Sequence, residues 1–115
     1  MTNPIKLYLA SPYSHEEAVR REVKYEQVRD FVYLLHDKHY PSLIIYSPIV
    51  ACHPLALTKC LAKGINYWWD LNKCYIDWCD WFGIYKIDGW DTSEGVAKEF
   101  EYAGDRGKTI VEFPS

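Results

Sequence analysis

The chain has none of the glycine-rich loops that cradle phosphates: neither G-x-G-x-x-G nor G-x-x-x-x-G-K-[ST] occurs in its 115 residues, which argues against a dehydrogenase or an NTPase. No G-x-S-x-G elbow is present, so a serine-hydrolase triad of the α/β type is also set aside. A basic run is missing, the formal net charge is −3 and the isoelectric point is about 5.8. The electrostatic footprint of a duplex-binding protein is therefore absent. No apolar run is long enough to span a bilayer and no leader-like segment opens the chain, which predicts a soluble, cytoplasmic protein without a membrane partner. The four cysteines (Cys52, Cys60, Cys74 and Cys79) are separated by seven, thirteen and four residues, a pattern that matches no common zinc site. Buried, reduced thiols and no metal are expected. Repeats, low-complexity tracts and composition breaks are missing too, so residues 1–115 read as one domain.

Aromatic residues are abundant: they make up 17% of the chain, with ten Tyr and five Trp. Apolar residues reach 49%, ample for a core. Tyr and Trp also carry a polar tip, which suits pockets and subunit interfaces. The aromatic load fits a homodimer or a larger homo-oligomer.

Ile5–Ala10 is a short apolar run stopped by Ser11-Pro12 and predicts a buried strand. Ser14 and Glu17 form a capping box for a long helix, with Tyr25, Val28, Val32 and Leu35 inward and Glu16, Arg20 and Lys24 in solvent. Leu43–Ser47 predicts a second strand, which makes a βαβ unit. Ile49–Gly64 predicts a loop or lid with at most a short helix. Asn66–Trp78 predicts a helix with Trp68, Leu71, Tyr75 and Trp78 on its apolar face. Trp81–Ile87 and Lys108–Phe113 predict the third and fourth strands. Asp77 and Asp80, near element ends, read as structural. The alternation predicts a single flavodoxin- or Rossmann-like three-layer α/β domain, with a parallel sheet of four to five strands covered on both faces. Ligands in such sheets bind beyond the carboxyl ends of the strands, here Ala10-Ser11-Pro12-Tyr13, the segment from Ser47 to His53, and Ile87–Ser93.

Between the last two strands, Gly89–Gly104 predicts a turn and a helix. Asp91 and Glu94 make a capping-box pattern, and Val96, Phe100 and Ala103 make an apolar stripe. Glu94, Lys98, Glu101 and Asp105 share the polar face. Glu99 sits about 60° from Val96, on the shoulder of the stripe, where a carboxylate is partly desolvated. Ser93 and Gly95 fall in the first turn, where free N–H groups and the helix dipole favour an anion.

The residues Leu7-Tyr8-Leu9-Ala10-Ser11-Pro12-Tyr13, Tyr46-Ser47-Pro48-Ile49, Cys79-Asp80, Gly89-Trp90 and Ser93-x-Gly95-x-x-x-Glu99 together resemble the nucleoside 2-deoxyribosyltransferase superfamily. Within it they look most like a small branch of uncharacterised domains. The resemblance implies cleavage of an N-glycosidic bond, with Glu99 as the nucleophile on the anomeric carbon and Tyr8 touching that carboxylate. It implies a hydrolase acting on a nucleoside 5′-monophosphate, or alternatively a deoxyribosyltransferase or a non-catalytic nucleotide-binding module. Ser93 stands where the nucleoside transferases carry aspartate. Ser93 and Gly95 would hold the phosphate, with Ala10 and Ser11 on the opposite wall. An aspartate that assists the base maps onto Asn72, with Asp70 two residues earlier and about 200° around the helix. Either could serve. His53 is a contact to the phosphate or base, or an exposed loop residue; Trp90 is a candidate stacking group. No metal or organic cofactor is required, because covalent catalysis and electrostatics suffice.

Overall fold

Four of the six residues of Ile5–Ala10 (β1) are buried, on both faces of the strand, the signature of an inner parallel strand. The computed structural model describes residues 3–13, 18–52 and 64–115, with backbone alone at 18 and 64–67. His53, Cys60 and the Ser14/Glu17 capping pair lie outside the described residues. Beyond β1 the elements are α1 (Ala18–His39), β2 (Leu43–Tyr46), α2 (Gly64–Trp78), β3 (Trp81–Lys86), α3 (Glu94–Asp105) and β4 (Thr109–Pro114). The strands form one parallel sheet in the order β2-β1-β3-β4. It is a Rossmann-like α/β domain, as the pattern of elements predicts. Ser47 is not part of β2; it caps a helical turn over residues 48–52, accepting from Val50 N at 3.3 Å through Oγ.

The chain steps from β1 to β2 in one direction, then returns past β1 to β3 and β4 in the other. Right-handed crossovers put helices from opposite steps on opposite faces, so α1 covers one face while α2 and α3 share the other. The strand residues divide by parity. Leu7 and Leu9 pack with Val28 and Leu35 of α1. Tyr8 and Ala10 pack with Ile76 of α2 and Val96 and Ala103 of α3. Register places Tyr46, Tyr8 and Phe82 in one row across β2, β1 and β3, with ring centroids 5.9 and 5.5 Å apart. Tyr75 of α2 continues the row by stacking on Tyr46 at 3.6 Å. Aromatic cross-strand pairs add to their burial.

Two helix faces differ from the sequence expectation. Among the described side chains of α2 the fully buried one is Ile76, while Tyr75 is 36% exposed. On α3 the buried stripe is Val96, Glu99 and Ala103, and Phe100 is 45% exposed. Periodicity weighs a phenylalanine over a glutamate, but Tyr8 beneath the helix supplies a hydrogen-bond donor, so the carboxylate takes the inner position. Cys74 is likewise exposed instead of buried, whereas Cys79 is buried and donates to Ile76 O.

Asp77 and Asp80 have structural work. Asp80 accepts from Lys6 N at 2.9 Å, and Tyr102 donates to Asp77. Lys108 donates to the carbonyls of Asp77 and Cys79 at 2.8 and 2.7 Å, satisfying the end of α2 and the residue beyond it. On β3, Gly83 leaves room for its neighbours: a Cβ there would stand 2.8 Å from Phe113 Cε2 and 3.0 Å from Leu7 Cδ1. Gly83→Val is expected to destabilise the fold by about 2 kcal/mol through overpacking, read as a lower denaturation midpoint at unchanged m-value.

Candidate active site

Every connection that leaves a carboxyl end of β1, β2 or β3 contributes to one cleft of about 740 Å³. Ser11, Pro12 and Tyr13 follow β1; Pro48, Ile49 and Cys52 follow β2; Asp88, Gly89 and Thr92–Gly95 follow β3. Glu99 also lines the cleft. The reversal of strand order falls between β1 and β3, so a crevice at this rim is what the topology demands.

Glu99 is 8% exposed and accepts a hydrogen bond from the Tyr8 hydroxyl. Tyr8 is fully buried, stacked on Phe82. Burial pushes the Glu99 carboxyl up from 4.5 to about 7, against the opposing pull of the Tyr8 hydrogen bond. Burial and the neighbouring Glu99 charge push the Tyr8 hydroxyl well above the usual tyrosine range, so it stays protonated as a donor. A carboxyl balanced near neutrality can attack as a nucleophile when ionised or transfer a proton when not. Cys52 also faces the cleft, but burial pushes its thiol up and its Sγ lies 3.9 Å from Tyr46 Oη. It is poorly placed to act as a thiolate.

Ser93 is the N-cap of α3 and accepts from Val96 N at 3.2 Å. The cap is thus two residues later than the Asp91/Glu94 pattern suggests, because Gly89, at φ +92°, starts a turn that carries the chain through Asp91. Asp91 is exposed. With Oγ accepting from the backbone, the Ser93 hydroxyl proton remains available to donate. Ser11 lies across the cleft, 8% exposed, and its Oγ has no hydrogen-bond partner among the described residues.

Other candidates separate. Asn72 lines the cleft, whereas Asp70 is on the outer face of α2, paired with Lys73 at 3.4 Å. Ala10 is fully buried beneath the rim. Trp90 packs against the core with Lys86 over its ring and does not line the cleft. The aromatic wall is instead Trp68, four residues before Asn72 and on the same side of α2. The i, i+4 spacing could have linked the two. Arg20 and Lys24 also reach the cleft, although their positions on α1 read as solvent-facing. Lys24 Nζ lies 3.5 Å from where a Cβ of Gly89 would stand. Only the return of the β3–α3 turn over α1 brings it there, and periodicity carries no signal of that. Among the described residues no group of three or more His, Cys, Asp or Glu side chains could hold a metal ion. No described helix is long and apolar enough to cross a membrane.

Residues 5–115 match the family described as "Domain of unknown function (DUF1937)". No curated protein matches the chain. Among solved structures, the chain is similar to the 2-deoxyribosyltransferase of the psychrotolerant bacterium Bacillus psychrosaccharolyticus, at 21% identity and a TM-score of 0.66, covering 95% of this chain and 72% of that one. It is also similar to the 2-desoxiribosyltransferase of Leishmania mexicana, at 22% identity and a TM-score of 0.58, covering 96% and 65%. These likenesses show that the chain has the 2-deoxyribosyltransferase fold.

Raising the Glu99 pKa to about 7 has a consequence for stability. Between pH 4.5 and 7 the folded chain keeps a proton that the unfolded chain releases, so stability falls as pH rises through that window. Glu99→Gln removes the titration and keeps an oxygen for Tyr8 to donate to. It is expected to match wild type near pH 4 and to exceed it by roughly 2–3 kcal/mol at pH 8, measured by denaturant unfolding at both pH values.

Proposed function

Starting from a chain that belongs to the DUF1937 family and has the 2-deoxyribosyltransferase fold, we propose that it is an N-glycosidase acting on nucleoside 5′-monophosphates of the 2′-deoxy series. The observation that carries this reading is the buried Glu99, hydrogen-bonded by Tyr8 and facing the cleft at the carboxyl ends of the sheet. Cleavage of a base–sugar bond passes through an oxocarbenium-like transition state, which a carboxylate beside the anomeric carbon stabilises and then traps. Glu99 forms a bond to C1′ as the C1′–N bond breaks and its electron pair leaves with the base. Water then attacks C1′, the sugar phosphate departs and the carboxylate is restored. Tyr8 holds one carboxylate oxygen and leaves the other for C1′.

The preference for a monophosphate rests on charge. The N-terminus of α3 offers backbone N–H groups and the Ser93 hydroxyl, and a serine there does not repel a phosphate as a carboxylate would. Lys24 and Arg20 add positive charge from α1, and among the described residues no ion pair engages Lys24. Asp88 and Glu94 also border the cleft, so Lys24, beside Gly89, is the cation this reading assigns to the phosphate. The exposed apolar side chains Tyr33, Leu34, Tyr40 and Phe100 support self-association as a homodimer or larger assembly; sedimentation velocity is expected to give a mass above that of one chain.

The decisive assay is release of free base from ribo- and deoxynucleoside 5′-monophosphates and the matching nucleosides, with and without an added acceptor base. Wild type is expected to release base from monophosphates without an acceptor, and Glu99→Gln to lose at least about a thousandfold. Lys24→Ala is expected to raise KM for the monophosphate roughly tenfold or more while leaving the nucleoside unaffected. Activity is expected to rise with pH through about 7 as Glu99 ionises, and Tyr8→Phe to move that midpoint upward. Turnover that requires an acceptor base would favour a deoxyribosyltransferase. Binding without any base release would leave a nucleotide-binding module.

A further inference from the structure

Asn72 stands beside Glu99 twice over. Both line the main cleft, and both line a second, smaller cavity of about 70 Å³ together with Trp68, Trp69, Gly95 and Lys98. The Asn72 Oδ1 is buried and has no hydrogen-bond partner among the described residues. A buried carbonyl left without a donor is costly, and such atoms are uncommon enough to call for an explanation. Asn72 and Trp68 both border the two spaces that Glu99 also lines, the spaces open to a base if Glu99 attacks C1′.

We propose that Asn72 selects the base, and that the base is a 6-aminopurine. The inference rests on the N-glycosidase site described above and adds its base specificity. A planar amide presents one acceptor and one donor side by side. The outer edge of adenine presents the complement, the N7 acceptor beside the N6 amino donor, and Asn pairs with it through two hydrogen bonds. A 6-oxopurine presents two acceptors on the same edge, N7 and O6. Whichever way the amide is turned, its oxygen then faces a lone pair, and one of the two bonds is lost. The amide, unpartnered at its oxygen, can turn its donor to N7 and its acceptor to the N6 amino group of adenine, whereas neither orientation satisfies both positions of a 6-oxopurine.

The same contact assists departure. An amide cannot give up a proton, so Asn72 donates a hydrogen bond to N7 without transferring it. As the C1′–N9 bond breaks, its electron pair passes into the purine ring, where the N7 contact and the amide dipole stabilise it. The departing purine takes its proton from solvent, and a water molecule completes hydrolysis of the glycosyl–Glu99 ester.

The test separates this inference from the reading beneath it by measuring binding and turnover independently. Dissociation constants are measured by calorimetry on Glu99→Gln, which cannot turn over, for 2′-deoxyadenosine and 2′-deoxyinosine 5′-monophosphates. The amino compound is expected to bind at least about tenfold more tightly. Adding Asn72→Ala is expected to erase that difference by weakening the amino compound alone; alanine is a good helix former, so α2 is kept. Equal affinities at the outset, or a preference that survives Asn72→Ala, would overturn the proposal. Base release by wild type is scored separately. Release from both purines with no binding preference keeps the glycosidase and rejects the role of Asn72. A preference that depends on Asn72 without release from either purine keeps that role and rejects the glycosidase. Failure of both compounds to bind at millimolar concentration would reject both readings.

Discussion

The contact on which the site depends is the hydrogen bond from Tyr8 to Glu99. A carboxylate taken fully out of water carries a large desolvation cost unless a donor faces it. Here the donor comes from the middle of the sheet. Tyr8 points toward α3 because of its even position on β1, and α3 lies on that face because the chain reverses direction between β1 and β3. The aromatic row Tyr46–Tyr8–Phe82 then fixes the hydroxyl laterally. Sheet parity, crossover handedness and cross-strand stacking thus converge on the placement of one oxygen atom.

The architecture was legible in the chain because parallel strands buried on both faces are short, apolar and sharply bounded, and Ile5–Ala10 and Trp81–Lys86 show all three properties. The convergence of strand ends on one rim was legible for the same reason. What periodicity could not rank was a single inward position on α3. Phe100 outweighs Glu99 on any hydrophobic scale, and only the donor beneath the helix reverses the order. The N-cap moved from Asp91 to Ser93 because a glycine at φ +92° lengthens the preceding turn. Long-range placements left least trace. Lys24 meets the cleft through a loop more than sixty residues away in sequence, and the separation of Asn72 from Asp70 follows from the rotation of α2 about its axis.

The walls of the cleft divide the labour by element. The amino end of α3 and the cations of α1 bring groups receptive to negative charge. The face of α2 carrying Trp68 and Asn72 brings a flat, aromatic surface capable of directional hydrogen bonding. The buried carboxyl lines the same cleft. Two solved structures that share this fold are 2-deoxyribosyltransferases, of whose length the chain spans 72% and 65%. The buried carboxyl, its donor and the helix cap all fall within this shorter span.

A buried carboxyl raised to about 7 also bears on how such a protein changes over generations. Near neutral pH, replacement of Glu99 by glutamine, which keeps an oxygen for Tyr8, is a step downhill in folding energy. Most random substitutions in a core go the other way. A lineage released from selection on its chemistry would therefore tend to shed this side chain early, while the scaffold around it persisted and even hardened. The carboxyl and the scaffold that surrounds it are thus held by different means, the sheet and the aromatic row by packing and the glutamate by nothing in the folding balance.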